Sequence, residues 1–224
     1  MANYVLVHGG NMTTETWNKL TRGDPVHTKD GTMGGRIWDL VVPALLAQDH
    51  RVFAPTLNDE HSTNLTGHIE QVCSIIAGNN LLDVILVGHS YGGMIITGVA
   101  AGMADRISHL VYVDAAVPDP GQSLFDIIVS GGSDPLSFAG LEPAAPYIEK
   151  LQFDAAKIKP LPKTYIRCTE SEFKSVTDSA KQKISAVKNE WKYIELPTSH
   201  VPMGSMPEEL ALLLLDAAKN SPFL

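Results

Sequence analysis

Short apolar runs alternate along the chain with longer segments whose apolar residues recur at helical spacing. The runs that we interpret as strands are Tyr4–Val7, Arg51–Ala54, Val84–Val87, Leu110–Val113, Thr164–Arg167 and Trp191–Leu196. The segments that we interpret as helices are Trp38–Gln48, Leu65–Ala77, Gly93–Met103, Phe173–Val187 and Pro207–Ala218. Alternation of helices with nearly continuous apolar strands is typical of a parallel sheet that is covered on both faces.

Two segments interrupt this alternation. Residues 11–35 are polar and contain several glycines, and we predict a loop there that covers the functional site. Residues 118–162 are rich in proline and glycine and carry short apolar pieces. Long irregular segments in compact domains are usually functional or disordered, so we interpret the second segment as a small lid insertion. The whole chain, residues 1–224, is then expected to form one domain.

The third apolar run ends in Gly88-His89-Ser90-Tyr91-Gly92, which is a Gly-x-Ser-x-Gly pattern followed at once by a helical segment. A strand, this pattern and a helix together predict a sharp turn that exposes the serine hydroxyl above the sheet. Glycines flank the serine because the strand and helix backbones approach each other closely. The alternative is a glycine-rich turn whose serine only caps the helix.

A serine hydroxyl is a weak nucleophile and needs a base within hydrogen-bond reach. Histidine suits this role because its pKa lies near neutrality. His200 lies between the last predicted strand and the last predicted helix, where a loop meets the ligand-binding edge of an open parallel sheet. We therefore predict His200 as the base; the alternative is a loop histidine bonded to a backbone carbonyl. His89 is expected to point away from a substrate, and His8 to shape its loop.

Attack by a serine on a carbonyl creates an oxyanion, which needs two fixed hydrogen-bond donors. The backbone N–H of Tyr91, directly after the serine, is the first that we predict. The second is expected from the loop after the first strand. We predict Gly10, because a glycine lets the backbone approach a ligand closely, and Asn11 is the alternative.

Composition narrows the possible partners. The chain has 224 residues, 44% of them hydrophobic, and a net charge of -8, which suits a domain with a substantial core. We expect no nucleic-acid partner because no cluster of Lys or Arg stands out. Apolar stretches are too short for a membrane span, and no secretory signal is visible. No histidine, cysteine or carboxylate grouping has metal spacing, so we expect neither metal nor cofactor.

The chain has two cysteines, Cys73 and Cys168, which lie far apart and form no recognisable motif. We interpret them as free thiols, which indicates a cytoplasmic location. Nothing in the sequence indicates an oligomeric state.

Four segments resemble the α/β-hydrolase family: Val5–Gly10, Gly88–Gly93, Tyr165–Glu170 and Ser199–His200. The branch that the chain resembles most is the compact one that holds plant methylesterases, hydroxynitrile lyases and their bacterial relatives. The resemblance covers nearly the whole chain. It implies an α/β-hydrolase fold, with a mostly parallel six-stranded sheet flanked by helices and a small lid insertion.

The acid that orients the base is harder to assign. In plant methylesterases it is an aspartate after the strand that here reads Thr164–Arg167, but Ser171 occupies that position in this chain. Asp114 follows Leu110–Val113, the strand predicted after the helix that Ser90 precedes. Other α/β-hydrolases, including haloalkane dehalogenases and a fungal lactonase, resemble this layout and carry their acid there. We predict Asp114 as the acid, with Glu172 or Glu170 as alternatives.

These residues together predict a serine hydrolase that cleaves small apolar carboxylic esters or lactones through an acyl-enzyme on Ser90. We expect Phe125 and Ile128 of the lid, and also Trp17, to line the substrate pocket. One alternative is a lyase of the hydroxynitrile type, although such enzymes carry a lysine where this chain has Val201. Another is a non-catalytic receptor for a small molecule, which would leave Ser90 unlabelled by a fluorophosphonate.

Overall fold

The structure is a computed structural model of the chain, and it describes residues 1–21, 24–138, 141, 143–187 and 190–219. Residues 22–23 of the predicted loop, and residues 139–140 and 142 of the predicted lid insertion, lie outside the described residues.

Six strands form one sheet in which all neighbouring pairs are parallel. They are β1 (Asn3–Val7), β2 (Arg51–Phe53), β3 (Val84–His89), β4 (Ile107–Val113), β5 (Lys163–Cys168) and β6 (Lys192–Leu196). Their spatial order is β2-β1-β3-β4-β5-β6. This confirms the predicted fold class, an α/β-hydrolase fold. The chain winds outward in opposite directions from β1 and β3, so a crevice opens at the carboxyl ends of these two strands.

Four helices match segments that the apolar pattern predicts, namely Leu65–Ala77, Gly93–Met103, Phe173–Val187 and Pro207–Ala218. The helices of the described residues follow in chain order. They are α1 (Thr14–Leu20), α2 (Val42–Leu46), α3 (Leu65–Gly78), α4 (Gly92–Gly102), α5 (Leu124–Ser130), α6 (Ala145–Ile148), α7 (Ala155–Ile158), α8 (Lys174–Ala186), α9 (Pro202–Ser205) and α10 (Pro207–Lys219). Short 3₁₀ segments cover Gly34–Trp38, Ala104–Arg106 and Pro135–Ser137.

Two predictions about helices were wrong. The segment predicted as one helix over Trp38–Gln48 is a 3₁₀ turn followed by the short helix α2, which has a proline in its first turn. Residues 11–35 are not entirely loop, because they contain α1. The Thr13 side chain accepts a hydrogen bond from the Thr16 N–H and caps α1, while Trp17 buries its ring beneath it.

The sheet is buried on both faces, which explains why its strands read as continuous apolar runs. Successive residues of β1 illustrate this: Val5 and Val7 belong to one core cluster, and Tyr4 and Leu6 belong to the other. The first cluster packs against α3, α4, α5 and α8, and the second packs against α10 and the 3₁₀ turn that ends at Trp38. The sheet is thus a fixed platform for the loops at its carboxyl edge.

Residues 118–162 contain α5, α6 and α7 between β4 and β5. We call them the insertion. Ser123 and Asp126 form a reciprocal capping box at the start of α5. Glu149, next to α6, accepts hydrogen bonds from the Thr66 N–H at 3.0 Å and the Thr66 hydroxyl at 2.6 Å. The insertion is therefore attached to the start of α3. None of the helices in the described residues has the length and apolar character needed to cross a membrane.

Candidate active site

Ser90 stands at the tip of β3, on a tight turn into α4. Its φ is 56°, a left-handed conformation that few residues other than glycine adopt. The Ser90 carbonyl accepts hydrogen bonds from the Gly93 and Ala116 N–H groups at 3.1 and 3.0 Å, which hold this conformation. A Cβ atom added to Gly88 would lie 2.6 Å from the Gly92 carbonyl oxygen, so the turn has no space for a larger residue there.

Asp114 and His200 form a hydrogen-bonded pair beside this turn. The Nδ1 atom of His200 lies 2.7 Å from Asp114 Oδ2. Asp114 is the first residue after β4 and is completely buried, whereas 16% of the His200 side chain is exposed. Because a carboxylate can only accept, Nδ1 carries the proton and Nε2 is left with a free lone pair. The imidazole is thus in the form that can remove a proton from a hydroxyl.

The buried Asp114 carboxylate receives two further hydrogen bonds. The Cys168 N–H donates to Oδ1 at 2.8 Å, and the Ser171 hydroxyl donates to Oδ2 at 2.5 Å. Burying a charge is costly unless donors surround it, and three donors surround this one. Sequence reasoning missed Ser171 as a contributor. The available signal was its position, since it occupies the place of the aspartate in plant methylesterases.

The structure does not bring the two alternative acids to the imidazole ring. Glu172 Oε2 accepts a weak hydrogen bond from the backbone N–H of His200 at 3.4 Å, and its side chain is exposed. Glu170 is also exposed, and its backbone N–H donates to the Thr198 carbonyl.

A cavity of about 440 Å³ lies at the carboxyl ends of β1 and β3. Ser90 and His200 both line it, and among the described lining residues Glu172 is the single carboxylate. The lining residues are Gly9, Gly10, Asn11, Met12, Thr13, Thr16, Leu20, Gly34, Ile37, His89, Ser90, Phe138, Leu141, Glu172, Phe173 and His200. A mostly apolar wall with a few polar groups is typical of a small-molecule site.

Within the described part of the chain, the Ser90 hydroxyl makes no hydrogen bond, including to His200. Hydrogen bonds between catalytic groups are often long in free enzymes and tighten when substrate binds. Two aromatic rings hold the His200 ring in place meanwhile. The centroid of His89 lies 4.6 Å from that of His200, and the centroid of Phe173 lies 5.0 Å from it.

The backbone N–H groups of Gly10 and Tyr91 donate no hydrogen bond within the described residues. Gly10 lines the cavity, and Tyr91 directly follows Ser90 at the start of α4. Asn11, the alternative donor, is different, because its N–H lies near the Tyr147 hydroxyl. Of the three groups considered from the sequence, two are therefore free to receive a ligand oxygen.

Trp17, Phe125 and Ile128, which we expected to line the substrate pocket, are not among the residues that line this cavity. Trp17 is 4% exposed and belongs to the core on the far side of α1. The cavity-facing residues of α1 are instead Thr16 and Leu20, which are four positions apart and so share one face.

The two residues of α5 also serve packing. Ile128 is fully buried in the other core cluster, and Phe125 stacks on Tyr147 with ring centroids 6.5 Å apart. The lining residues Met12, Ile37 and Phe173 carry no sequence signal that separates them from ordinary core residues.

His89 does line the cavity, contrary to the expectation that it would point away. Its Nε2 lies 2.7 Å from the His200 carbonyl oxygen, so Nε2 carries the proton and donates. Burial, followed by the nearby His200, lowers the pKa of His89 well below its ordinary value. A neutral His89 therefore ties the loop of His200 to the end of β3.

No group of three or more metal-binding side chains occurs among the described residues.

Comparison with known proteins identifies the relatives of this chain. An esterase described as carbendazim-hydrolysing, from Nocardioides sp. (strain SG-4G), is 41% identical over 137 residues, which cover 57% of this chain and 48% of that protein. A pyrethroid hydrolase from Sphingobium wenxiniae is 34% identical over 95 residues, covering 39% of this chain and 34% of that protein. The aligned part thus spans about half of the first relative and a third of the second.

The solved structure of a pyrethroid hydrolase from Sphingobium faniae JZ-2 superimposes with a TM-score of 0.73 at 21% identity, covering 98% of each chain. At that identity the likeness concerns the fold. The model of the alpha/beta hydrolase family matches residues 4–147, which is more than half of the chain. The chain therefore belongs to the alpha/beta hydrolase family.

Proposed function

We propose that the protein is a serine hydrolase that cleaves small, uncharged carboxylic esters or lactones through an acyl-enzyme on Ser90. The observation that carries this proposal is one shared cavity. Ser90 lines this cavity from a strained turn. His200 lines it too, and its Nδ1 forms a 2.7 Å hydrogen bond with the buried Asp114 carboxylate. Idle catalytic parts have no folding reason to assemble in this way.

In the proposed mechanism, His200 Nε2 takes the proton of the Ser90 hydroxyl as Oγ attacks the carbonyl carbon of the ester. Asp114 holds the imidazole in the required tautomer and stabilises the imidazolium that forms. The Gly10 and Tyr91 N–H groups donate to the oxyanion. His200 then passes the proton to the departing alcohol. Water repeats the sequence on the acyl-enzyme and releases the acid.

The cavity lining favours neutral substrates with apolar groups. Six of its sixteen lining residues are phenylalanine, leucine, isoleucine or methionine, and the carboxylate of Glu172 repels anions. The two relatives are named for hydrolysing carbendazim and pyrethroids, so these two kinds of compound belong in a first substrate panel.

Cys73 and Cys168 are both free thiols, which supports the further proposal of a cytoplasmic location.

Turnover of a panel of p-nitrophenyl esters of increasing acyl length, extended with lactones, tests this function. We expect short neutral acyl groups to be cleaved and Ser90→Ala to lower kcat by at least about 10⁴-fold, because the nucleophile is lost. Ser185→Ala is the control, since Ser185 lies on the exposed face of α8. Turnover by Ser90→Ala at more than a few per cent of the wild-type rate would contradict the proposal.

A further inference from the structure

Tyr147 lies in α6 of the insertion and contacts both segments that carry the proposed oxyanion donors. Its ring is 1% exposed and packs edge-on against the Tyr91 ring, with centroids 5.0 Å apart. Its hydroxyl approaches Gly10 so closely that a Cβ atom added there would lie 2.7 Å from the oxygen. One side chain of the insertion thus contacts the loop after β1 and the residue after Ser90.

The hydrogen bonds of Tyr147 have a fixed direction. The Tyr147 hydroxyl donates to Glu60 Oε2, and the backbone N–H of Asn11 lies near the hydroxyl oxygen. Burial, followed by the hydrogen bond to Glu60 and the charge of Glu60, raises the pKa of the Tyr147 phenol. The phenol therefore stays protonated and remains the donor to the Glu60 carboxylate.

These contacts hold the loop after β1. Because the Tyr147 hydroxyl, anchored on Glu60, lies directly against Gly10, the loop packs against a buried side chain, and among the described residues the Gly10 N–H has no hydrogen-bond partner. Preorganised donors stabilise an oxyanion because they need no reorientation when charge develops. A loop free to rotate would lose this advantage.

We infer that Tyr147, supported by Glu60, is a positioning residue that sets the oxyanion-binding backbone of Gly10 and Tyr91. The inference rests on the proposed function. It gives the insertion a role in stabilising the transition state, in addition to covering the cavity. Tyr147 touches no reacting atom in this account and acts through the backbone that it holds.

Tyr147→Phe tests the inference because it keeps the ring and removes only the hydroxyl. We expect kcat for a p-nitrophenyl ester to fall 10- to 100-fold while KM changes by less than about threefold. This is below the 10²- to 10³-fold loss typical of deleting an oxyanion donor, because the donor is misaligned and not removed. Tyr4→Phe is the matched control: Tyr4 is equally buried, and its hydroxyl donates to the Leu214 carbonyl on the far face of the sheet.

A second readout separates positioning from packing. Addition of Ser90 Oγ to a trifluoromethyl ketone, with the serine proton passing to His200, forms a hemiketal whose oxyanion occupies the same donors. The inhibition constant for this ketone should rise in Tyr147→Phe by the factor that kcat falls. A rise in KM with an unchanged inhibition constant would indicate a packing role and overturn the inference.

Variants of Glu60 test the hydrogen bond between Tyr147 and Glu60 if Tyr147→Phe folds poorly. Glu60→Gln retains an oxygen that accepts from Tyr147 and should stay within about threefold of the wild-type kcat. Glu60→Leu removes the acceptor and should behave like Tyr147→Phe. If both Tyr147→Phe and Glu60→Leu keep the wild-type kcat, this inference is overturned while the proposed function stands. A wild-type protein without turnover or Ser90 acylation would overturn the proposed function, and this inference with it.

Discussion

Ser90 and Asp114 share an unusual backbone conformation. Their φ angles are 56° and 46°, and each is the first residue after its strand, β3 for Ser90 and β4 for Asp114. The paired strands end at the same level, because His89 is in register with Val113. Left-handed conformations at residues other than glycine cost about 1–3 kcal/mol and cluster at functional sites. Both side chains are thereby turned toward the edge of the sheet where His200 lies.

Replacing Asp114 tests the assignment of the acid. Asp114→Asn should lower kcat for a p-nitrophenyl ester by about 10⁴-fold, because the amide no longer selects the tautomer of His200 that leaves Nε2 free. Steady-state kinetics on protein checked for folding by circular dichroism would measure the loss.

The controls for Asp114 are the two other carboxylates weighed for the same role. Glu172→Gln and Glu170→Gln should each keep kcat within about threefold of the wild type, since neither side chain contacts the His200 ring. A deep loss in Glu172→Gln together with an active Asp114→Asn would show that the acid is Glu172.

At the residue scale, the candidate residues that could be predicted from the sequence are those that follow the end of a strand. Ser90, Asp114 and His200 could be named because each follows a readable strand. Ser171 could not, because its contribution depends on the fold of the β5–α8 turn, which brings its hydroxyl to an aspartate 57 positions away. Its position at the place of the methylesterase aspartate was the only sequence signal, and that signal does not show which carboxylate the hydroxyl contacts.

At the scale of elements, the parallel strands were predictable because both faces of the sheet are apolar. Helix α1 was not predicted, because it has only seven residues, about two turns, in a polar, glycine-containing segment, and its burial rests mainly on Trp17. The cap at Thr13 and the spacing of Thr16 and Leu20 are signals that could have indicated it. Lining residues of the cavity come largely from such short elements.

Two glycines of α4 test how tightly the turn at Ser90 is packed. In α4, a Cβ atom added to Gly93 would lie 2.1 Å from the Ala116 carbonyl oxygen, whereas one added to Gly102 meets nothing within 4 Å. Gly93→Ala should therefore lower the free energy of unfolding by about 3 kcal/mol or more. Gly102→Ala should leave it unchanged or raise it by up to about 1 kcal/mol, because alanine favours helix. Urea denaturation followed by circular dichroism measures both; equal stabilities would contradict the packing described for the turn.

For the whole molecule, the strand order decides where chemistry can occur. The chain reverses its direction of winding between β1 and β3, and the cavity lies at the carboxyl ends of these strands. This location followed from the sequence once the parallel sheet was recognised. The shape of the cavity did not, because it depends on side chains from α1, the 3₁₀ turn at Gly34–Trp38 and the insertion, whose mutual packing no local pattern encodes.

Buried histidines should make the stability of the whole molecule depend on pH. Burial, as the largest cause, lowers the pKa of both His8 and His109 from 6.5 to about 4. His8 Nε2 accepts the Leu57 N–H at 2.9 Å, a bond that protonation would break. Unfolded chains bind more protons than the native state between about pH 6.5 and 4. Stability is therefore complete above that window and falls as the pH is lowered through it.

Between pH 7 and pH 5 we expect each of these histidines to reduce the free energy of unfolding by about 2 kcal/mol. His109→Gln keeps a partner for Thr164, which His109 Nε2 contacts at 2.9 Å, and removes the titration. Urea denaturation at both pH values should show a smaller difference for this variant than for the wild type. Equal differences would mean that His109 is not held neutral by burial.

The central claim is that the Ser90 hydroxyl is made nucleophilic by His200, and intact-protein mass spectrometry with a fluorophosphonate tests it most directly. The wild type and the Ser185→Ala control should gain one adduct, mapped by peptide analysis to Ser90. His200→Ala should label at least about 10³-fold more slowly, because the base is missing. An adduct on another residue, an unlabelled Ser90 in folded protein, or a His200→Ala labelling rate equal to that of the wild type would contradict the account.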